Sequence, residues 1–381
     1  MNGCSRSMMP LTPDPNSDRG GTELIDTVSN LVKGVPMRLP RPLNRPAAVC
    51  AALWLALAAP AVAETAPAPA DSQTCGGIDV LAEAQTKDPD LYKTVTDQAK
   101  ALENSEALLW KVEKSGAPAS YVFGTIHLSD PRVTTLSPKV KEALGGAKTV
   151  VLEFVGGQDA AVTAMTAKAG ELLVYTDGTT LESKLSPEDF AQVKALVGKM
   201  GLPGEIAGLM RPWILNMLLS ISDCERQKME KGAEALDGMI EKQAAAEGKT
   251  LAGLETPEQQ LQAMTSIPED QQLQMLKAGL KYAHRSNDMI ETLVQMYLKR
   301  QIGGAMPLQI ALAAKVGTPA SAYDGFVKLL LTDRNARMRD AAKPILDKGA
   351  AFIGVGALHL PGKAGLITLL RDAGYTVTAV E

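Results

Sequence analysis

From Leu108 to Glu381 the apolar positions switch repeatedly between a period near two and a period near 3.6. LLWKVE and SYVFGT, separated by the loop KSGAPA, predict a β-hairpin with strands over 108–113 and 120–125. Leu136-Ser137-Pro138 places an N-cap Ser before a Pro at the first helical position. It predicts a helix to about Leu144, stopped by Gly145-Gly146. KTVVLEFV (148–155) is a β-branched run of the kind buried on both faces. Strand, helix and strand in this order form a βαβ unit, whose strands should run parallel.

The middle of the chain reads as helical. Ser186-Pro187-Glu188-Asp189 opens a helix with Phe190, Val193, Val197 and Met200 on one side. Further helices fall near 78–104, 211–222, 233–247, 269–284 and 286–300. One strand, KTLAGLE (249–255), interrupts them and runs into the cap Thr256-Pro257-Glu258-Gln259. A helix over 333–347, a strand over 350–356, a helix over 362–374 and a strand over 375–380 form a second βαβ unit. The expected fold is α/β: a mixed, mostly parallel sheet from two βαβ-containing halves. Residues 78–381 form one domain with helical insertions at about 160–245 and 260–330.

The two halves share a pattern. YVFGTIHL and FIGVGALHL both read strand, Gly-x-x-His-Leu, then helix, glycine and strand. Ligands of open parallel sheets bind beyond the C-terminal strand ends. His127, Glu153, Glu255 and His359 all fall there. Two imidazoles and two carboxylates can ligate a divalent ion such as manganese, cobalt or zinc. One glutamate would instead act as general base on a bound water. Gly124 and Gly356 allow a tight turn or close approach to a ligand. Taken singly, each histidine has a plainer reading as a turn residue, and each glutamate as a loop or helix N-terminal charge. His284, in KYAHRSND, reads as a surface residue. The chain has no Gly-x-Ser-x-Gly elbow, His-Glu-x-x-His helix or Walker loop, and His359 takes the place of a dinucleotide fingerprint's third glycine.

Composition adds a compartment. MRLPRPLNRPAAVCAALWLALAAPAVAET carries Arg38, Arg41 and Arg45, an apolar core from Ala47 to Ala59, and the small-x-small site Ala61-Val62-Ala63. That is the layout of a signal peptide over 37–63, with 1–36 an upstream extension and 64–77 a Pro/Ala linker. The expected location is secreted or periplasmic, without stable membrane insertion after cleavage. Losing residues 1–63 removes six basic and four acidic residues, taking the net charge from −4 to −6. A mildly acidic chain gives no reason to expect nucleic acid as partner. Cys4 and Cys50 leave with that segment. Cys75 and Cys224 remain, an even pair that reads as one disulfide.

FGTIHLSDP, VVLEF, GKTLAGLETPEQQL, Arg334-Asn335 and GVGALHLPGKAGLITLLRDAGYTV together resemble the TraB/PrgY/GumN family, in its GumN-like bacterial branch. The resemblance implies a relationship to the Tiki metalloproteases, with His127, His359 and Glu153 as metal ligands. It matches Glu255 and Arg334 to family segments, and Arg334 would meet a substrate carboxylate or oxyanion. Related erythromycin esterase and ChaN-like folds imply an α/β core with a helical insertion. The implied function is an exported metal-dependent hydrolase acting on a peptide or small molecule. The alternatives are a non-catalytic periplasmic metal-, haem- or peptide-binding protein, or an interaction module with structural histidines.

Overall fold

The computed structural model describes residues 74–167 and 172–381. The expected signal peptide, the 1–36 extension, Cys4, Cys50 and most of the linker lie outside them. Six strands form one sheet: β1 (Leu109–Glu113), β2 (Ser120–Thr125), β3 (Thr149–Leu152), β4 (Thr250–Gly253), β5 (Ala351–Gly356) and β6 (Thr376–Ala379). Their spatial order is β4-β3-β5-β2-β1-β6. β4, β3, β5 and β2 are parallel neighbours, while β1 runs antiparallel to both β2 and β6.

The helices match the caps that predict them. Ser137 caps Pro138–Gly146, Ser186 caps Pro187–Lys199, and Thr256 with Gln259 makes a complete capping box on Pro257–Thr265. The strands of each expected βαβ unit point the same way but are not adjacent. β5 sits between β2 and β3, whereas β2 and β1 separate β5 from β6. Burial explains the arrangement. AFIGVG is buried at every position but its last and takes the centre, while TVTA of β6 and TLAG of β4 expose much of their length at the two edges.

The period of two sorts the core into two layers. Leu109, Phe123, Val150, Leu152 and Phe352 face one side, with the helices of 80–101, 138–146, 236–246 and 286–312. Trp110, Val112, Val122, Val151, Ile353 and Val355 face the other, packed on Asp333–Leu346 and Leu366–Asp372. Each fully buried large apolar side chain stabilises by roughly 1.5–3 kcal/mol, so both faces resist a register slip. A separate apolar cluster, including Leu181, Phe190, Val193, Trp213 and Leu276, packs helices of the two insertions together. No helix among the described residues is long and apolar enough to cross a membrane. Cys75 and Cys224 form a disulfide.

Candidate functional site

Because β4, β3, β5 and β2 are consecutive and parallel, their C-terminal ends line one rim. Glu255, Glu153, His359 and His127 follow these ends in that spatial order, although their order along the chain is different. His359 ends a short 3-10 turn, Ala357–His359, directly after β5. Tyr297 donates its hydroxyl to the Gly124 carbonyl at 2.7 Å, fixing the end of β2 from below.

Arg334 joins the two glutamates. It occupies the buried stripe Arg334, Met338, Ala342, Leu346 of its helix, so the apolar face that packs on the sheet also carries the guanidinium inward. A π-helical stretch, Val327–Thr332, precedes it, and the Leu330 carbonyl accepts from Arg334 Nη1 at 3.2 Å. Arg334 Nε donates to both Glu255 oxygens at 3.0 and 3.1 Å, and Nη2 donates to Glu255 Oε1 and to Glu153 Oε2. Glu153 Oε2 also accepts from Gln260 Nε2 at 3.0 Å, while Oε1 accepts the Gly356 N–H at 2.7 Å. Burial opposes ionisation of Glu153, yet the surrounding positive groups and that N–H hold its carboxyl down at about 2.

The two imidazoles are each oriented by an acceptor. Asn335 Nδ2 donates to the Ala364 carbonyl, so its Oδ1 is the atom facing His359 Nδ1 at 2.6 Å. His359 Nδ1 therefore carries the proton. Burial lowers His359 to about 4, leaving a neutral ring whose Nε2 lone pair faces Glu153 Oε1 at 3.6 Å. Asp237 plays the same part for His127, with Oδ2 at 2.8 Å from Nδ1 and Oδ1 accepting from Thr125 Oγ1 at 2.5 Å. The Asp237 charge raises His127 to about 9, although its ring stands open to water.

His127 Nε2, the His359 ring edge and Glu153 Oε1 surround Gly356. A methyl group built on its α-carbon would lie 3.1 Å from Glu153 Oε1, 3.6 Å from His359 Cδ2 and 3.8 Å from His127 Nε2. Gly356 has an ordinary φ of −51°, so this glycine preserves space rather than an unusual backbone. At Gly124 the added carbon would instead press on Leu360 and Ala357, at 2.7 and 3.0 Å. That glycine lets the turn bearing His359 close onto β2. Two lone pairs facing across 3.6 Å, on a ring whose proton points away, suit a bound cation. Among the described residues no group of three or more His, Cys, Asp or Glu side chains is placed to hold a metal ion.

The sequence model of the TraB/PrgY/gumN family matches residues 108–379, which span every strand and all four rim residues. The chain belongs to this family. No curated protein and no solved structure matches it. On the TraB/PrgY/gumN chain, the structure brings His127, His359, Glu153, Glu255 and Arg334 into one site. Cys75 and Cys224 stand apart as the disulfide, and His284 is exposed. Asp237 and Gln260 also belong to the site, although the sequence reading does not single them out. Both sit in the first turns of ordinary amphipathic helices, where an acid or amide reads as a capping residue.

Proposed function

We propose that this TraB/PrgY/gumN protein is an exported metal-dependent hydrolase with peptides as its substrate class. The observation that carries the reading is the meeting of His127 Nε2, the His359 ring edge and Glu153 Oε1 around Gly356, each imidazole with its Nδ1 committed to an acceptor. That is how proteins prepare histidines for a metal. A divalent ion there would polarise a carbonyl and make water nucleophilic at neutral pH. His127, His359 and Glu153 Oε1 would hold it, and Asp237 and Asn335 would keep the rings aligned. Arg334 keeps Glu153 ionised and in place, acting on the carboxylates. The likeness of the paired Gly-x-x-His motifs to Tiki proteases supports a peptide substrate. The small-x-small site at Ala61-Val62-Ala63 and the Cys75–Cys224 bond support export.

One observation favours the alternative, a protein that binds a cation or a cation-bearing ligand without turnover. Both glutamates are tied to Arg334, and Glu153 at about 2 is a weak proton acceptor. The deciding experiment measures Mn2+, Co2+ and Zn2+ binding calorimetrically, then peptide hydrolysis by the loaded protein. Stoichiometric binding that His127→Ala and His359→Ala abolish, with metal-dependent cleavage, is the expected result. Binding without cleavage selects the alternative, and no binding at micromolar ion defeats both.

The two motif glycines should separate site from scaffold. Gly356→Ala is expected to weaken ion binding at least about tenfold, by filling the space between the ligands. Its thermal midpoint should move little, because the backbone there accepts any residue. Gly124→Ala is expected to destabilise by about 1–3 kcal/mol through overpacking against the His359 turn. Paired calorimetry and thermal denaturation of the two variants check this, and equal effects on both measurements would refute the division.

A further inference from the structure

We propose that the Cys75–Cys224 disulfide, acting through Glu225, positions His127 and makes the site sensitive to thiol reduction. Its functional meaning rests on the cation-site reading above.

Glu225 follows Cys224 on the helix Asp223–Glu230 and is almost completely buried, at 1% exposure. A carboxylate so placed must be compensated, and its contacts reach in two directions. Oε1 accepts the Ser129 N–H at 2.5 Å, two residues beyond His127. Oε2 meets Lys228 Nζ at 3.1 Å and lies 3.8 Å from Cys75 Sγ. A single buried acid therefore spans the disulfide and the loop that follows His127.

The same stretch holds that loop at two further points. Leu236 N–H donates to the Leu128 carbonyl at 3.3 Å, and Asp237 binds both the His127 ring and Thr125. Residues 223–237 thus form a platform for His127, with the disulfide at one end and the imidazole's acceptor at the other. Cys75 belongs to the N-terminal segment, anchored separately where Ile78 N–H donates to Asp288 Oδ1 at 2.9 Å. The disulfide joins the platform to that fixed segment. His359 hangs on a different support, Asn335 and the Ala364 carbonyl.

A dithiol reductant would transfer two electrons, break the S–S bond and leave two thiols beside an oxidised dithiol. The new Cys75 S–H would then face Glu225 Oε2 as a donor, competing for the acid that orders Ser129. The platform end is released and the acid is drawn towards sulfur, so His127 loses its fixed position while His359 keeps its own.

The chain has three histidines, so imidazole 15N resonances report each site separately. In the full chain, dithiothreitol or the double change Cys75→Ser, Cys224→Ser should shift or broaden the His127 signals and leave those of His359 and His284 in place. Zn2+ affinity should fall about tenfold. In the oxidised protein, Glu225→Ala should reproduce both effects, whereas Glu225→Gln, which keeps an acceptor oxygen for Ser129, should behave like the parent. His127 signals that are identical before and after reduction overturn the proposal. So do signals that move together with those of His359, which mark general loosening. If neither redox form binds Zn2+, the cation-site reading falls, and the imidazole signals still decide this one.

Discussion

Arg334→Ala should destabilise the fold by about 3–5 kcal/mol, a large share of the stability of a typical domain. The cause is what the change leaves behind. Glu153 and Glu255 are both buried, and both rely on the guanidinium for charge compensation. Without it, two carboxylates confront each other in a poorly solvated place and one must take up a proton. Urea denaturation at neutral pH would measure the loss. Combining Arg334→Met with Glu153→Gln and Glu255→Gln should recover most of it, because no buried charge then remains unpaired. A single variant whose stability stays within about 0.5 kcal/mol of the parent, the range of inert surface changes, would show that the pair is solvated after all.

Asp237→Asn should leave the fold nearly intact and lower divalent-ion affinity by about ten- to a hundredfold. Asp237 is half-buried beside an exposed ring, so the altered charge costs little in folding. Its carboxylate, however, can only accept, so it keeps a proton on His127 Nδ1 and leaves Nε2 as the nitrogen that gives up its proton when a cation binds. An amide can also present its NH2 group, which favours the opposite tautomer. Calorimetric titration with Mn2+ and Zn2+ measures the affinity, and imidazole 15N shifts report the tautomer. Unchanged affinity alongside a changed tautomer would remove His127 from the ligand set.

Much of the site was legible because it is local to strand ends. Gly124-x-x-His127 and Gly356-x-x-His359 repeat in matching contexts, and KTVVLE and KTLAGLE end in the two acids. Caps were equally legible, since Ser137-Pro138 or Thr256-Pro257 states its conformation within a few residues. What reached across the chain was not. Asp237 lies 110 residues from His127 and resembles any acid in a helix's first turn. The Arg334–Asn335 pair was visible as a family segment, but not that one residue joins two glutamates while the other orients a histidine. The wide turn Val327–Thr332 was hidden because three consecutive leucines carry no signal for a hydrogen-bonding pattern. Strand adjacency was not legible for a related reason. A strand–helix–strand pattern implies parallel strands, but neighbours are chosen by how deeply each strand can be buried, and β5 outcompetes β3 for the place beside β2.

The position of β5 has a consequence for how the molecule comes into being. The strand is synthesised after β2, β3 and β4, yet it occupies the middle of the parallel run, and β2 and β3 are joined in the sheet through it. Until Ala351–Gly356 arrives, the strands that end at His127 and Glu153 are not bridged in the sheet, and neither Gly356 nor His359 is present beside them. A chain cut before residue 351 loses its keystone rather than an edge. Such long-range closure is slow, because loop entropy must be overcome before the contacts reward it. Assembly of the rim therefore waits for β5: a copy without that strand has neither the middle of the sheet nor the turn that carries His359.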